Sequence, residues 1–178
     1  MKELSLHILD IVQNSIVAGA KHIHIGIAED SERDTLSITI VDDGRGMPAE
    51  VVQKVLDPYT TSRTTRKVGL GLPLFNDACR STGGELHIES TEGKGTKVLA
   101  TLGLNHIDRQ PLGDIAGVLV LLISANPSIR FTYSHCKNGN TYTLDTDEVN
   151  EVLEGVPINT PEVAKMLREM ISLNLDEL

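Results

Sequence analysis

Apolar residues recur at Leu4, Ile8, Ile11, Val12, Ile16 and Ala18, the spacing of a helix with one buried face. Gly19 stands where that helix would be capped and ended. From His22 to Ala28 the chain alternates apolar and polar, and from Thr35 to Asp43 it alternates again after the acidic turn EDSERD. The two runs predict a strand hairpin. Pro48, with Glu50 beside it, opens a short helix. The stretch DPYTTSRTTRKVGLG has no apolar period and reads as a loop. LPLFNDACRST is a helix stopped at Gly83 and Gly84, and ELHIES and GTKVLATLGL are two strands joined by the turn TEGKG. Hairpins interleaved with helices predict an α+β fold in which helices cover one face of a mixed sheet.

That pattern closes near Leu104, so residues 1–104 are predicted as one domain. NHIDRQP, residues 105–111, is polar, ends in Pro and is expected to be a linker. Residues 112–178 then read as a small C-terminal α/β unit: a helix from Asp114 to Ala125, a hairpin through KNGN, and helices from Asp147 to Leu153 and Pro161 to Leu173. Ile129, Phe131, Tyr133, Tyr142 and Leu144 fall on one face of that hairpin. Two strands are not stable alone, so this face should lie on helices, apart from the first sheet. The helix from Asp114 is apolar nearly all round and should be buried between sheet and hairpin, or in the seam of a homodimer.

Composition narrows the function. The 178 residues carry 16 Lys+Arg against 25 Asp+Glu, a formal net charge of −9, which gives no basic face for nucleic acid and little attraction to a membrane surface. Cys79 and Cys136 lie far apart outside any CxxC pattern, as expected of reduced thiols in a cytoplasmic protein. MKELSLHILD lacks the plan of a signal peptide.

Candidate chemistry begins with Asp10 and Asn14, a carboxylate and a carboxamide one turn apart on a helix that otherwise reads as core. VDDGRGMP then ends a strand with Asp-x-Gly-x-Gly, and VGLGLPLF opens a helix with Gly-x-Gly. A helix starting at Gly69, Leu70 and Gly71 offers free N–H groups and a positive dipole end to phosphate. Arg63, Arg66 and Lys67 just before it are cations suited to a polyphosphate. Neither GxxxxGK[ST] nor a strand-led GxGxxG occurs, so any nucleotide site is of another design. Each piece alone has a plain reading: a tight turn for the glycines, a satisfied core amide for Asn14.

Together, and in this order, DIVQNSIVAGA, VDDGRGMP, DPYTTS, VGLGLPLF and GKGTKV resemble the N box, the glycine boxes and the Thr-Thr stretch of the GHKL superfamily of ATPases, which share the Bergerat fold. The resemblance covers Glu3 to about Leu104. It implies ATP and Mg²⁺ as ligands. By that resemblance Asn14 is the Mg²⁺ ligand, and Asp10, standing where Glu is usual, is the general base. Asp42 receives the adenine amine and Thr96 completes that contact. Gly44, Gly46 and Met47 lie against the base. Thr61, Gly69, Leu70, Gly71 and Leu72 match the lid and phosphate boxes, with Arg63, Arg66 and Lys67 toward the phosphates.

The short loop from Tyr59 to Gly71 resembles the lid of the anti-sigma serine kinases, and DPYTTS resembles sensor histidine kinases. Tyr59 to Val68 is expected to be mobile until ATP orders it. Only Met1 to Ser5 precede the first helix, so a phosphoacceptor hairpin is not expected in this chain, and His7 reads as a packing residue. The N box and the tail, DIAGVLVLLISANPSIRFTYSHCKNGNTYTLD, resemble the MutL proteins. Two functions follow from the resemblance. One is an ATP-dependent protein kinase or phosphotransfer regulator, a transferase in signal transduction that acts on a partner protein. The other is an ATP-driven switch with weak ATPase activity and no kinase activity.

Overall fold

The computed structural model describes residues 2–57 and 71–178. Helix α1 (Leu4–Val17) is followed by strands β1 (His22–Asp30) and β2 (Thr35–Asp42), a short α2 (Ala49–Lys54), α3 (Gly71–Arg80), and strands β3 (Glu85–Thr91) and β4 (Gly95–Gly103). The chain continues with α4 (Ile115–Ala125), β5 (Arg130–Lys137), β6 (Asn140–Asp145), α5 (Thr146–Leu153) and α6 (Pro161–Asp176). The α+β class and the mixed sheet are as the sequence predicts.

The alternation in each strand decides which face is covered. Ile23, Ile25 and Ile27 of β1 are buried, as are Leu36, Ile38 and Ile40 of β2 and Val98, Ala100 and Leu102 of β4. The helices close over this face, with Leu4, Ile8, Ile11 and Val12 of α1 and Leu72 and Phe75 of α3 in the same core. Burying one such side chain contributes about 1.5–3 kcal/mol. α1 ends because Gly19 takes a φ of +76°, open to glycine at little cost.

The C-terminal segment differs from expectation. Its hairpin does not stand apart: β5 pairs in parallel with β1, from His22 opposite Arg130 to Glu29 opposite Lys137, giving one six-stranded sheet in the order β3-β4-β2-β1-β5-β6. The physical reason is that β1 has β2 on one side only. Without β5 its other edge would leave a row of backbone donors and acceptors unpaired beside a buried apolar face. Phe131 and Tyr133 fall in phase with Ile23 and Ile25, so the apolar face simply widens.

Residues 105–111 are likewise not a free tether. The amides of Leu4 and Ser5 donate to the carbonyls of Pro111 (2.9 Å) and Leu112 (2.8 Å), so the segment and the residue after it satisfy donors at the start of α1. Asn105 is held to Asp34 by its backbone and side-chain N–H groups. α4 is largely buried, but not between a sheet and a separate hairpin: it packs on α1 and α6 within the helical layer, because the hairpin belongs to the sheet itself. No helix among the described residues is long and apolar enough to cross a membrane.

Candidate functional site

At the C-terminal end of α1 the helix, the end of β2 with the loop after it, strand β4 and the start of α3 meet around a pocket. Its lining includes Asn14, Asp42, Gly46, Met47, Leu72 and Thr96, six residues that the sequence pattern singles out separately. The cavity of about 150 Å³ is otherwise walled by Ile11, Ile40 and Val98, an apolar slot with a few polar groups at its rim.

Asp42 ends β2 directly opposite Thr96 of β4, so the strand register alone sets these two side by side. One Asp42 carboxylate oxygen takes the Ser15 hydroxyl at 2.6 Å and the other the Gly44 amide at 2.9 Å. An ionised carboxylate has about four acceptor positions, so two remain for a ligand donor. Thr96 shares a hydrogen bond of 2.8 Å with Ser90, whose oxygen also accepts the Met47 amide at 2.8 Å.

The neighbouring Asp43 does different work. Its Oδ1 accepts the amides of Lys21 (2.8 Å) and His22 (3.0 Å), fastening the end of β2 to the start of β1. The His22 amide above all holds the Asp43 carboxyl below its ordinary pKa.

Gly44 and Gly46 also shape the loop through contacts within the protein. Gly46 has a φ of +67°, and a Cβ there would overlap the carbonyl of Thr91. A Cβ on Gly44 would come within 2.9 Å of the Ala18 carbonyl. Both glycines are needed so that the loop can close on protein, whatever lies in the pocket. Arg45 between them donates to Ala18 from its amide and to Val17 from its guanidinium, both at 2.9 Å. It thereby satisfies carbonyls left open at the end of α1 and suits the negative end of that helix.

Asp10 and Asn14 are one turn apart in α1 and half-buried. The Asn14 side chain opens on the pocket, with no hydrogen bond to another described residue. Asp10 lies against Gly71, the first described residue after the loop and the start of α3; a Cβ on Gly71 would overlap the Asp10 carboxylate. A carboxylate at a helix start is favourably placed toward its dipole. Leu72 follows Gly71 into the pocket wall. Thr61, Arg63, Arg66, Lys67, Gly69 and Leu70, with the expected lid, lie outside the described residues.

His7, on the same helix, is buried, stacks on Phe75 at 4.9 Å and meets Gln110 at 3.1 Å. Burial lowers its pKa, opposed by the Gln110 contact. It is a packing residue, as its lone position suggests. Ser15 and Arg45 are the site residues that the sequence pattern does not reveal. The one available signal for Ser15 is its place next to Asn14, on the turn that faces β2.

This arrangement can be set beside known proteins. The sequence profile of the family described as "Histidine kinase-, DNA gyrase B-, and HSP90-like ATPase" matches residues 2–106. The sensor histidine kinase ZraS of Escherichia coli O157:H7 is 27% identical over 106 residues, 60% of this chain and 23% of that protein. The sensor histidine kinase WalK of Bacillus subtilis (strain 168) is 35% identical over 86 residues, 46% of this chain and 14% of that one. The chain thus spans less than a quarter of the length of these relatives. Among solved structures, the N-terminal domain of a DNA repair protein superposes with a TM-score of 0.60 at 19% identity, covering 82% of this chain and 53% of that one. The Aquifex aeolicus MutL ATPase domain complexed with ADP gives 0.54 at 16% identity, covering 86% and 70%. Both likenesses concern the fold. With the family match over more than half its length, the chain belongs to the histidine kinase-, DNA gyrase B- and HSP90-like (GHKL) ATPases, and residues 2–106 carry that family's ATP-binding domain.

Proposed function

We propose that this protein binds Mg-ATP in the α1–β2–β4 pocket and acts as a protein kinase or phosphotransfer regulator on a partner protein. The observation that carries the reading is the convergence of Asp42 and Thr96 at one side of the pocket with Asn14 at its lip. Asp42 keeps acceptor capacity for an exocyclic amine, which selects adenine over a base with a carbonyl there. The Asn14 carboxamide fits Mg²⁺, a cation that prefers oxygen ligands and keeps several waters. When bound, the metal would neutralise charge on the phosphates. Asp10, one turn before Asn14 and against the start of α3, is placed to accept a proton from an attacking hydroxyl. Arg63, Arg66 and Lys67 are assigned to the phosphates by their charge and order in the sequence.

A second reading, an ATP-driven switch without kinase activity, is favoured by a separate observation. β1 has the nucleotide-side strand β2 on one edge and the C-terminal strand β5 on the other. One sheet therefore joins the pocket to the tail. Asp10, one methylene shorter than the usual Glu, also favours slow turnover. Incubation of the pure protein with γ-labelled ATP and candidate partner proteins separates the two. Label on a protein supports the kinase, slow release of free phosphate alone supports the switch, and no nucleotide binding by calorimetry overturns both.

A further inference from the structure

Far along the sheet from the nucleotide pocket, a groove of about 260 Å³ runs between the edge strand β6, α5 and α6. Its floor and walls include Leu144, Val149, Leu167 and Met170, and its lips Val152 and Met166. Val152 is 80% exposed and Met166 47% exposed. An apolar slot with such open lips is more than the scattered surface leucines of an ordinary protein. Two of its side chains are methionines, whose flexible thioethers adapt to different apolar partners. The Tyr142 hydroxyl beneath the same groove is buried without a hydrogen-bond partner among the described residues.

Charge selects the occupant. Glu148 and Asp145 line the groove, and no Lys or Arg does. α5, which forms one wall, carries Asp147, Glu148 and Glu151 and no basic residue. The nearby cation, Arg130, is already engaged with Asp145 at 2.6 Å and Asp147 at 3.2 Å. Across the groove, Arg168 of α6 is turned to Asp114 at 2.8 Å. Lys165 of α6 is exposed, but Glu162 and Glu169 flank it along the helix. A second copy of this acidic chain, docked through the same face, would set acidic rim against acidic rim.

We propose that this groove is a docking site for an amphipathic helix of a partner protein, with an apolar stripe flanked by Lys and Arg. The stripe seats between α5 and α6 as in other helix-in-groove recognition. The basic flanks meet Glu148 at the rim. This site is independent of whether the nucleotide pocket serves a kinase or a switch.

The test uses the full chain and a fluorescein-labelled 18-residue peptide with Leu at i, i+3, i+4 and i+7 and Lys elsewhere. Saturable binding by anisotropy is expected, weakened at least tenfold in V152D and in M166D, weakened by added NaCl, and lost when the Lys residues are replaced by Glu. Both positions are exposed, so thermal melts near that of the parent should show the variants folded. A peptide of the same composition with the apolar period scrambled should bind at least tenfold more weakly. Equal binding of the scrambled peptide, parental binding by both variants, or no binding of the Leu/Lys peptide would overturn the proposal. So would a concentration-dependent dimer in sedimentation that V152D dissolves, since the groove would then belong to a second copy.

Discussion

Replacing Asp42 by Asn tests the proposed nucleotide pocket at the contact assigned to adenine. The substitution keeps size and shape, and the structure shows why the fold should tolerate it. The remaining carbonyl oxygen can still accept the Gly44 amide, now at 2.9 Å. The new NH₂ would face the Ser15 hydroxyl, now at 2.6 Å, which can rotate and accept instead of donate. The local network survives with one reversal, but the group offered to a ligand amine becomes a donor. A hydrogen bond to a charged group contributes about 1.5–3 kcal/mol, and each 1.4 kcal/mol is about a factor of ten. ADP affinity should therefore fall roughly 10- to 150-fold. Titration calorimetry of parent and D42N with ADP measures it directly, with a urea melt to show that stability is near parental. A folded D42N that binds ADP as the parent does would refute the assignment of adenine to this corner.

Four further outcomes are expected. Asn14→Ala should leave the melt intact and reduce the Mg²⁺ dependence of ADP binding in a metal titration; an unchanged dependence would make Asn14 a bystander. Gly71→Ala should destabilise the protein by about 1–3 kcal/mol, the usual cost of overpacking, because its methyl would overlap Asp10; Asp10→Ala in the same chain should recover much of that loss in a urea titration. For pH, His7 and His24 both have pKa values lowered chiefly by burial. The unfolded chain then takes up protons first, so stability is complete above the ordinary histidine pKa of about 6.5 and falls as pH drops through it toward the folded values. Chemical melts from pH 8 to 5.5 should show that slope, and His7→Leu should flatten it. Truncation after Leu104 should yield aggregated protein, since it bares the β1 edge and removes Phe131, Tyr133 and Leu119 from the core; a soluble monomer with the parent's melting temperature would refute the single-sheet account.

Much of the first 104 residues was legible because the signals there are local. The period of Leu4, Ile8 and Ile11 sets a helix and its buried side, and two alternating runs across a short acidic turn set a hairpin. Asp10 and Asn14 stood out because each breaks an apolar helix. Other features were illegible for physical reasons. The motif picks out Asp42, but nothing in the sequence shows what Asp43 does, because the amides of Lys21 and His22 that it accepts come from the start of β1, about twenty residues back. Arg45 shows no pattern of its own, because what it serves is the spent end of a helix almost thirty residues away. The tail was read correctly in its elements and wrongly in its placement. Alternation reveals that Phe131 and Tyr133 face a core, but not which strand edge they join, and the partner strand β1 lies far back in the chain. His135 continues the buried face of β5 after Tyr133. It is buried because its ring is satisfied on both sides, by Tyr133 and Glu29, each at 2.9 Å.

The single sheet also explains how two ends of the molecule can share one rigid frame. Asp42 touches the pocket, and Asp43 next to it grips the amides of Lys21 and His22. The Lys21 carbonyl in turn accepts the amide of Arg130 at 2.9 Å. The Arg130 guanidinium holds Asp145 and Asp147, where β6 passes into α5. Short polar contacts therefore run from the Asp42 side of the pocket to the wall of the apolar groove, over backbone held in place by the β1–β5 ladder. Contiguity by itself carries no coupling free energy; that needs an element with two arrangements that both sites bias. In this path the strands are fixed by the ladders and buried on one face. The Arg130 clamp is the exposed member of the path, with Asp145 and Asp147 held by one guanidinium at the same time.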